Sequence, residues 1–134
     1  KDLPGFLANR LQHALSREAF AMVDEGICTP EDIDKAVRFG FGFRYIAAGP
    51  AMQRDHAGLE VHGAGGATIY PTLNNSPTIA KCLSDRIESG KFGMKTGEGF
   101  FTWTAETIKA ERERYQDALR AGLKIIQKDL PEIK

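Results

Sequence analysis

The sequence predicts an all-α, bundle-like domain, on three observations. Apolar residues recur at three-and-four spacing through its longest patterned stretches, Thr-Pro and glycine punctuation brackets those stretches, and no segment alternates in the manner of a half-buried strand. At 134 residues the chain is about one domain long.

The first helix is expected over 4–27, with Phe6, Leu7, Leu11, Leu15, Ala19, Met22 and Val23 on its inward side and Gly26 as its stop. It reads as the spine of the domain. Two polar residues, Asn9 and Arg10, interrupt it where burial is expected. For Asn9 the plain reading is a core amide satisfying a backbone group and the functional one an amide presented to substrate; for Arg10 the plain reading is an interhelical salt bridge.

A second helix follows from Thr29 as cap, Pro30 at its first position, and Glu31 with Asp32 at its positive end, with Ile33, Ala36 and Val37 inward and Gly40 as terminator. The next stretch, FGFGFRYIAAGP, predicts a tightly turned segment packed on the spine, with Arg44 set among Phe41, Phe43 and Tyr45. A third helix is expected over 51–62, weakened at Gly58. Gly63, Gly65 and Gly66 lack the preceding strand and spacing of a phosphate loop, so they predict a flexible or closely packed link.

Asn75 or Ser76 is expected to cap a fourth helix beginning at Pro77, closed by Ser89 and Gly90. KFGMKTGEGFFTW predicts a structured loop with aromatic anchors. Its Lys91 and Lys95 are plainly solvated, or alternatively neutralise a phosphate-bearing cofactor. Thr104 caps a last helix over 105–128, whose stripe of Ile108, Tyr115, Leu119, Leu123 and Ile126 packs either on its own domain or against a second subunit.

Lys plus Arg and Asp plus Glu each number 18, so no electrostatic excess steers the chain to nucleic acid or an anionic membrane. No apolar run is long enough to span a bilayer, and Lys1 opens no signal-peptide pattern. Cys28 and Cys82 lack metal-ligand spacing and read as free buried thiols, which favours a cytoplasmic setting. His13 reads as a helix-surface histidine. His56 adjoins Asp55, but adjacent helical residues do not share a face, and His56, Glu60 and His62 form no recognisable metal pattern. The opening KDLPGF, without an initiator methionine, reads as a boundary inside a larger protein.

Four segments in order, PGFLANRL at 4–11, DEGICTPEDIDKAVRFGFG at 24–42, GP at 49–50 and KFGMKTGEGFF at 91–101, resemble the C-terminal domain of the 3-hydroxyacyl-CoA dehydrogenase family. The resemblance spans 4–103. It implies a helical domain of the 6-phosphogluconate-dehydrogenase-like kind over 1–103, with 104–134 as a terminal helix on the domain or at an oligomer interface. It also implies a separate N-terminal Rossmann domain that binds NAD and carries the catalytic histidine and glutamate, a homodimer, and no activity from this portion alone. The family's asparagine maps onto Asn9, near the catalytic histidine and the substrate carbonyl. The implied reaction is oxidation of a 3-hydroxyacyl-CoA to the 3-oxoacyl-CoA.

One departure points elsewhere. Where the acyl-CoA enzymes carry a PMGP-like sequence, this chain has GFGFRYIAAGP, which looks closer to L-gulonate 3-dehydrogenase, lambda-crystallin and L-carnitine dehydrogenase. That resemblance gives Arg44 a role as partner of a substrate carboxylate. KFGMKTGEGFF favours the acyl-CoA enzymes, so the expectation stays with hydroxyacyl-CoA, with a small hydroxy acid, or a non-catalytic helical module, as alternatives.

Overall fold

The computed structural model describes residues 4–131 and contains six α-helices: α1 (Phe6–Asp24), α2 (Pro30–Phe39), α3 (Pro50–Ala57), α4 (Leu59–Ile69), α5 (Lys81–Glu88) and α6 (Ala105–Ile126). Short 3-10 turns occupy Phe41–Ile46, Tyr70–Thr72, Met94–Thr96 and Gln127–Asp129. Among the described residues there is no sheet, only isolated bridges pairing Glu98 with Gly93 and with Thr102. The all-α expectation holds.

Helix ends follow local chemistry where the sequence supplies it. Gly26, at φ 71°, closes α1: its N–H donates to the Val23 carbonyl and that of Ile27 to the Met22 carbonyl, each at 3.0 Å. This double closure needs a left-handed residue, which glycine supplies without steric cost. Thr29 and Asp32 form a reciprocal capping box at the start of α2, and Thr104 and Thr107 form one at the start of α6.

Three local expectations fail. The predicted helix over 51–62 breaks at Gly58 (φ 96°, ψ 125°), and α4 then runs straight through Gly63, Gly65 and Gly66, where a link was expected. Gly66 is buried beneath Tyr70, whose ring carbons would lie 3.1 Å from any added Cβ. Its missing side chain is a packing requirement. The segment at 41–46 packs on α2 and α6 rather than on the spine.

The third failure is α5, which begins at Lys81 and not at Pro77. Residues 74–78 instead fold into side-chain turns: Asn74 Oδ1 accepts from the Ser76 N–H at 3.0 Å, and Ser76 Oγ accepts from the Thr78 N–H at 3.2 Å. The cap comes from α1. Asp24 accepts from the Lys81 N–H at 2.6 Å and the Cys82 N–H at 2.7 Å, while Glu18 accepts from the Asn74 N–H at 2.6 Å. A carboxylate at a helix N-terminus satisfies orphan donors and meets the positive end of the dipole.

The expected spine burial is only half realised. Ala19 and Ala21 are the only fully buried apolar side chains among the described residues, with Met22 and Val23 half-buried. Phe6, Leu7, Leu11 and Leu15 are exposed, as are Tyr115, Leu119 and Leu123 on α6. The reason is geometric: among the described residues no element packs over those faces. The surface totals 11072 Å² for 14.7 kDa, against about 6900 Å² for a folded monomer of that mass. Cys28 and Cys82 are free, as expected, but half-buried. Among the described residues no helix is long and apolar enough to cross a membrane.

Burial of the Asp24 carboxylate opposes its ionisation, but hydrogen bonds from Cys82 and Lys81 outweigh that and hold it below its ordinary 3.8. A lowered carboxylate stabilises the fold above its ordinary value and loses that contribution as pH falls through the folded one. Asp24→Asn is therefore expected to cost about 1–2 kcal/mol at neutral pH, the scale of a helix cap. Urea unfolding against pH is expected to show the gap between the two proteins shrinking below about pH 4; a gap that stays constant into acid contradicts the clamp.

Candidate functional site

The chain enters α1 through two consecutive left-handed residues, Gly5 at φ 80° and Phe6 at φ 48°. For phenylalanine this is strained, at a cost of order 1 kcal/mol. A Cβ on Gly5 would lie 3.4 Å from the Arg10 nitrogen and 3.6 Å from Asn9 Cβ, so the turn folds closely against the first turn of the helix. Asn9 sits on that turn.

Asn9 is exposed and makes no side-chain hydrogen bond among the described residues. The core-amide reading is thereby corrected: the residue is exposed rather than held in a core. Arg10 is also exposed and forms no ion pair among the described residues, so the interhelical salt bridge does not occur there.

Arg44 lies in the 3-10 turn Phe41–Ile46. Phe41 and Tyr45 meet edge to face at 6.0 Å, but Phe43 and Tyr45 are themselves exposed and do not enclose the guanidinium. Arg44 has no ion pair among the described residues, and neither of the two grooves flanking α1 includes Arg44 or Asn9. The described residues do not bring the two together.

The KTGEGFF segment is anchored to α1 by Phe100, in line with the aromatic anchors expected there, and by Phe20 and Arg86, which sequence reading passed over. Phe100 stacks on Phe20 with ring centroids 5.0 Å apart, and the Arg86 guanidinium lies 4.5 Å from the Phe100 ring centre. Arg86 also donates from Nε to the Gly99 carbonyl at 3.1 Å and from Nη1 to the Cys82 carbonyl at 2.6 Å. Its spacing four residues beyond Cys82 was visible in sequence; its reach to position 99 was not. Lys91 pairs with Glu98 at 2.7 Å and Lys95 rests on the Phe92 ring, which supports the solvated-loop reading.

His62 Nε2 meets the Tyr70 hydroxyl at 3.1 Å, and no metal-holding cluster of His, Cys, Asp or Glu occurs among the described residues. The three clustered glycines are inside α4, with no strand before them among the described residues. These glycines therefore do not form a phosphate-cradling loop.

The family model for the C-terminal domain of 3-hydroxyacyl-CoA dehydrogenase matches residues 5–103. The 5-formyl-3-hydroxy-2-methylpyridine 4-carboxylate 5-dehydrogenase of Mesorhizobium japonicum is 38% identical over 123 residues, covering 90% of this chain and 40% of that protein. An L-carnitine dehydrogenase of Pseudomonas aeruginosa is 34% identical, covering 87% of this chain and 36% of that one. Human mitochondrial hydroxyacyl-coenzyme A dehydrogenase is 35% identical, covering 77% and 32%. The crystal structure of a 5-formyl-3-hydroxy-2-methylpyridine 4-carboxylic acid 5-dehydrogenase, described as an NAD+ dependent dismutase, superposes with a TM-score of 0.83 at 37% identity, covering 92% of this chain and 41% of that one. The chain spans about 40% of the length of the first of these relatives.

Because Asn9 is exposed and its side chain makes no hydrogen bond among the described residues, Asn9→Ala is expected to leave the unfolding free energy within about 0.5 kcal/mol of wild type. Urea denaturation checks this; a loss of about 2 kcal/mol would restore the structural reading of the amide.

Proposed function

Since the chain belongs to the 3-hydroxyacyl-CoA dehydrogenase C-terminal domain family, we propose that it is the substrate-side and dimerisation domain of an NAD-dependent dehydrogenase acting on a small hydroxy acid. The observation that carries the substrate class is that the Mesorhizobium relative named for a pyridine carboxylate and the Pseudomonas aeruginosa relative named for L-carnitine cover 90% and 87% of this chain, against 77% for the human hydroxyacyl-coenzyme A enzyme. This replaces the hydroxyacyl-CoA expectation. The fold is that of the helical half of a 6-phosphogluconate-dehydrogenase-like enzyme, and NAD is held by an N-terminal Rossmann domain.

In this reading Asn9 offers its amide to the reacting oxygen of the substrate or to the catalytic base of the Rossmann domain. The strained turn before it fixes the direction of the first helical turn. One such hydrogen bond is worth about 1–3 kcal/mol. Arg44, on a short turn with no ion pair of its own among the described residues, meets the substrate carboxylate through a guanidinium fork. Residues 104–134 contribute to the homodimer rather than to chemistry.

The dimer has a physical rationale. The exposed surface exceeds that of a typical monomer by about 4000 Å², several times the roughly 800 Å² that each partner of a standard interface covers. A second copy and the Rossmann domain together cover the apolar faces of α1 and α6.

Two outcomes follow. With the full-length enzyme, free hydroxy acids are expected to outperform 3-hydroxybutyryl-CoA in kcat/KM, with Arg44→Ala reducing carboxylate turnover selectively and Asn9→Ala lowering kcat about 5- to 150-fold; equal losses on carboxylate and thioester substrates would remove Arg44 from carboxylate recognition. In sedimentation equilibrium the enzyme is expected at dimer mass, and the double variant Leu119→Glu, Leu123→Glu at lower mass. A wild-type monomer mass independent of concentration counts against the interface.

A further inference from the structure

The groove between α1 and residues 76–83 gathers basic side chains on its α1 side. Its volume is about 710 Å³, and Arg10, His13 and Arg17 line its α1 side. Spaced i, i+3 and i+7, they share one strip of the helix, with the two arginine positions about 10 Å apart along the axis. That strip lies roughly a third of a turn from the Leu7, Leu11 and Leu15 face, so the surface assigned above to partners does not include it.

Among the described residues no aspartate or glutamate lines the groove. Arg10 and Arg17 have neither an ion pair nor a side-chain hydrogen bond among the described residues, whereas five other cations of the chain are paired with neighbouring carboxylates. The acids of α1 that come nearest in sequence are engaged: Glu18 holds the Asn74 N–H, and Asp24 caps α5. In a chain of zero formal charge the imbalance is local.

The other surfaces define what kind of anion fits. Ser76 and Thr78 face α1 across the groove, their hydroxyls 2.9 Å apart and able to rotate toward an anionic oxygen. Phe20 and Leu83 supply an apolar floor. We propose that this groove binds a compact organic anion, a carboxylate or phosphate monoester carried on an apolar body. Arg10 and Arg17 meet the charge, the His13 ring and the two hydroxyls complete its hydrogen bonds, and the body rests on Phe20 and Leu83. Arg17 also borders the neighbouring groove that contains Asp24 and Glu25, which sets the boundary of the positive region. The site adjoins Asn9 without including it and does not depend on the reaction assigned above.

Calorimetric titration of the full-length protein with benzoate and with phenyl phosphate tests the proposal. At least one probe is expected to bind with a roughly millimolar or tighter Kd, and the double variant Arg10→Gln, Arg17→Gln to bind it at least about tenfold more weakly. The double Arg→Lys variant is expected in between, because an ammonium keeps the charge but loses the fork. Preference for benzoate identifies a carboxylate ligand, and preference for phenyl phosphate a phosphate monoester. Amide chemical shifts of the wild-type protein provide a reading independent of whether the variants fold: the bound probe is expected to move residues 10–17 and 76–78. Absence of saturable binding by both probes, equal affinity in the Gln variant, or shifts confined elsewhere overturns the proposal.

Discussion

The architecture depends on two carboxylates of α1 that bind backbone amides more than fifty residues away. Glu18 fixes the Asn74 amide, and Asp24 fixes those of Lys81 and Cys82. These bonds set where the irregular segment before α5 ends and where α5 begins. Once α5 is placed, Arg86 reaches Gly99 and Phe100, and Phe100 stacks back on Phe20 of α1. Helix, turn segment and glycine-rich loop thus close a circuit that starts and ends on the same helix. Charge-assisted bonds to backbone N–H groups suit this task, since a chain with so little buried apolar surface draws limited organisation from packing.

What was legible in the sequence was local. Thr29 with Asp32, Thr104 with Thr107, and the glycines at 26 and 90 act on residues within one turn, so their outcomes follow from spacing alone. The start of α5 was not legible because its capping residue lies on another helix, and Asn74 and Ser76 satisfy neighbouring amides instead. The glycines of α4 misled for a similar reason: their intrinsic cost in a helix is offset at Gly66 by the close approach of Tyr70, a contact between successive turns that composition does not announce. Burial of Phe6, Leu7, Leu11 and Leu15 was read correctly as a helical face and incorrectly as a face covered by this chain.

The candidate site shows the same division. Asn9 stood out in sequence as a polar residue among apolar ones, and the structure accounts for its freedom from local bonds by placing it on an exposed first turn. Arg44 stood out through its aromatic neighbours, yet its turn packs on α2 and α6 and those neighbours leave it exposed. The basic strip at 10, 13 and 17 was available from spacing, but only the groove opposite it gives that spacing chemical meaning. The family match over residues 5–103 takes in all of these positions.

The central proposal is that the exposed apolar faces of α1 and α6 are completed by surfaces outside this chain. Hydrogen exchange of the full-length protein, read over residues 6–15 and 115–123, addresses it most directly. The account predicts protection in both segments close to that of the global unfolding reaction, because partner surfaces bury them. Exchange in either segment at the rate of an isolated, solvent-exposed helix contradicts it.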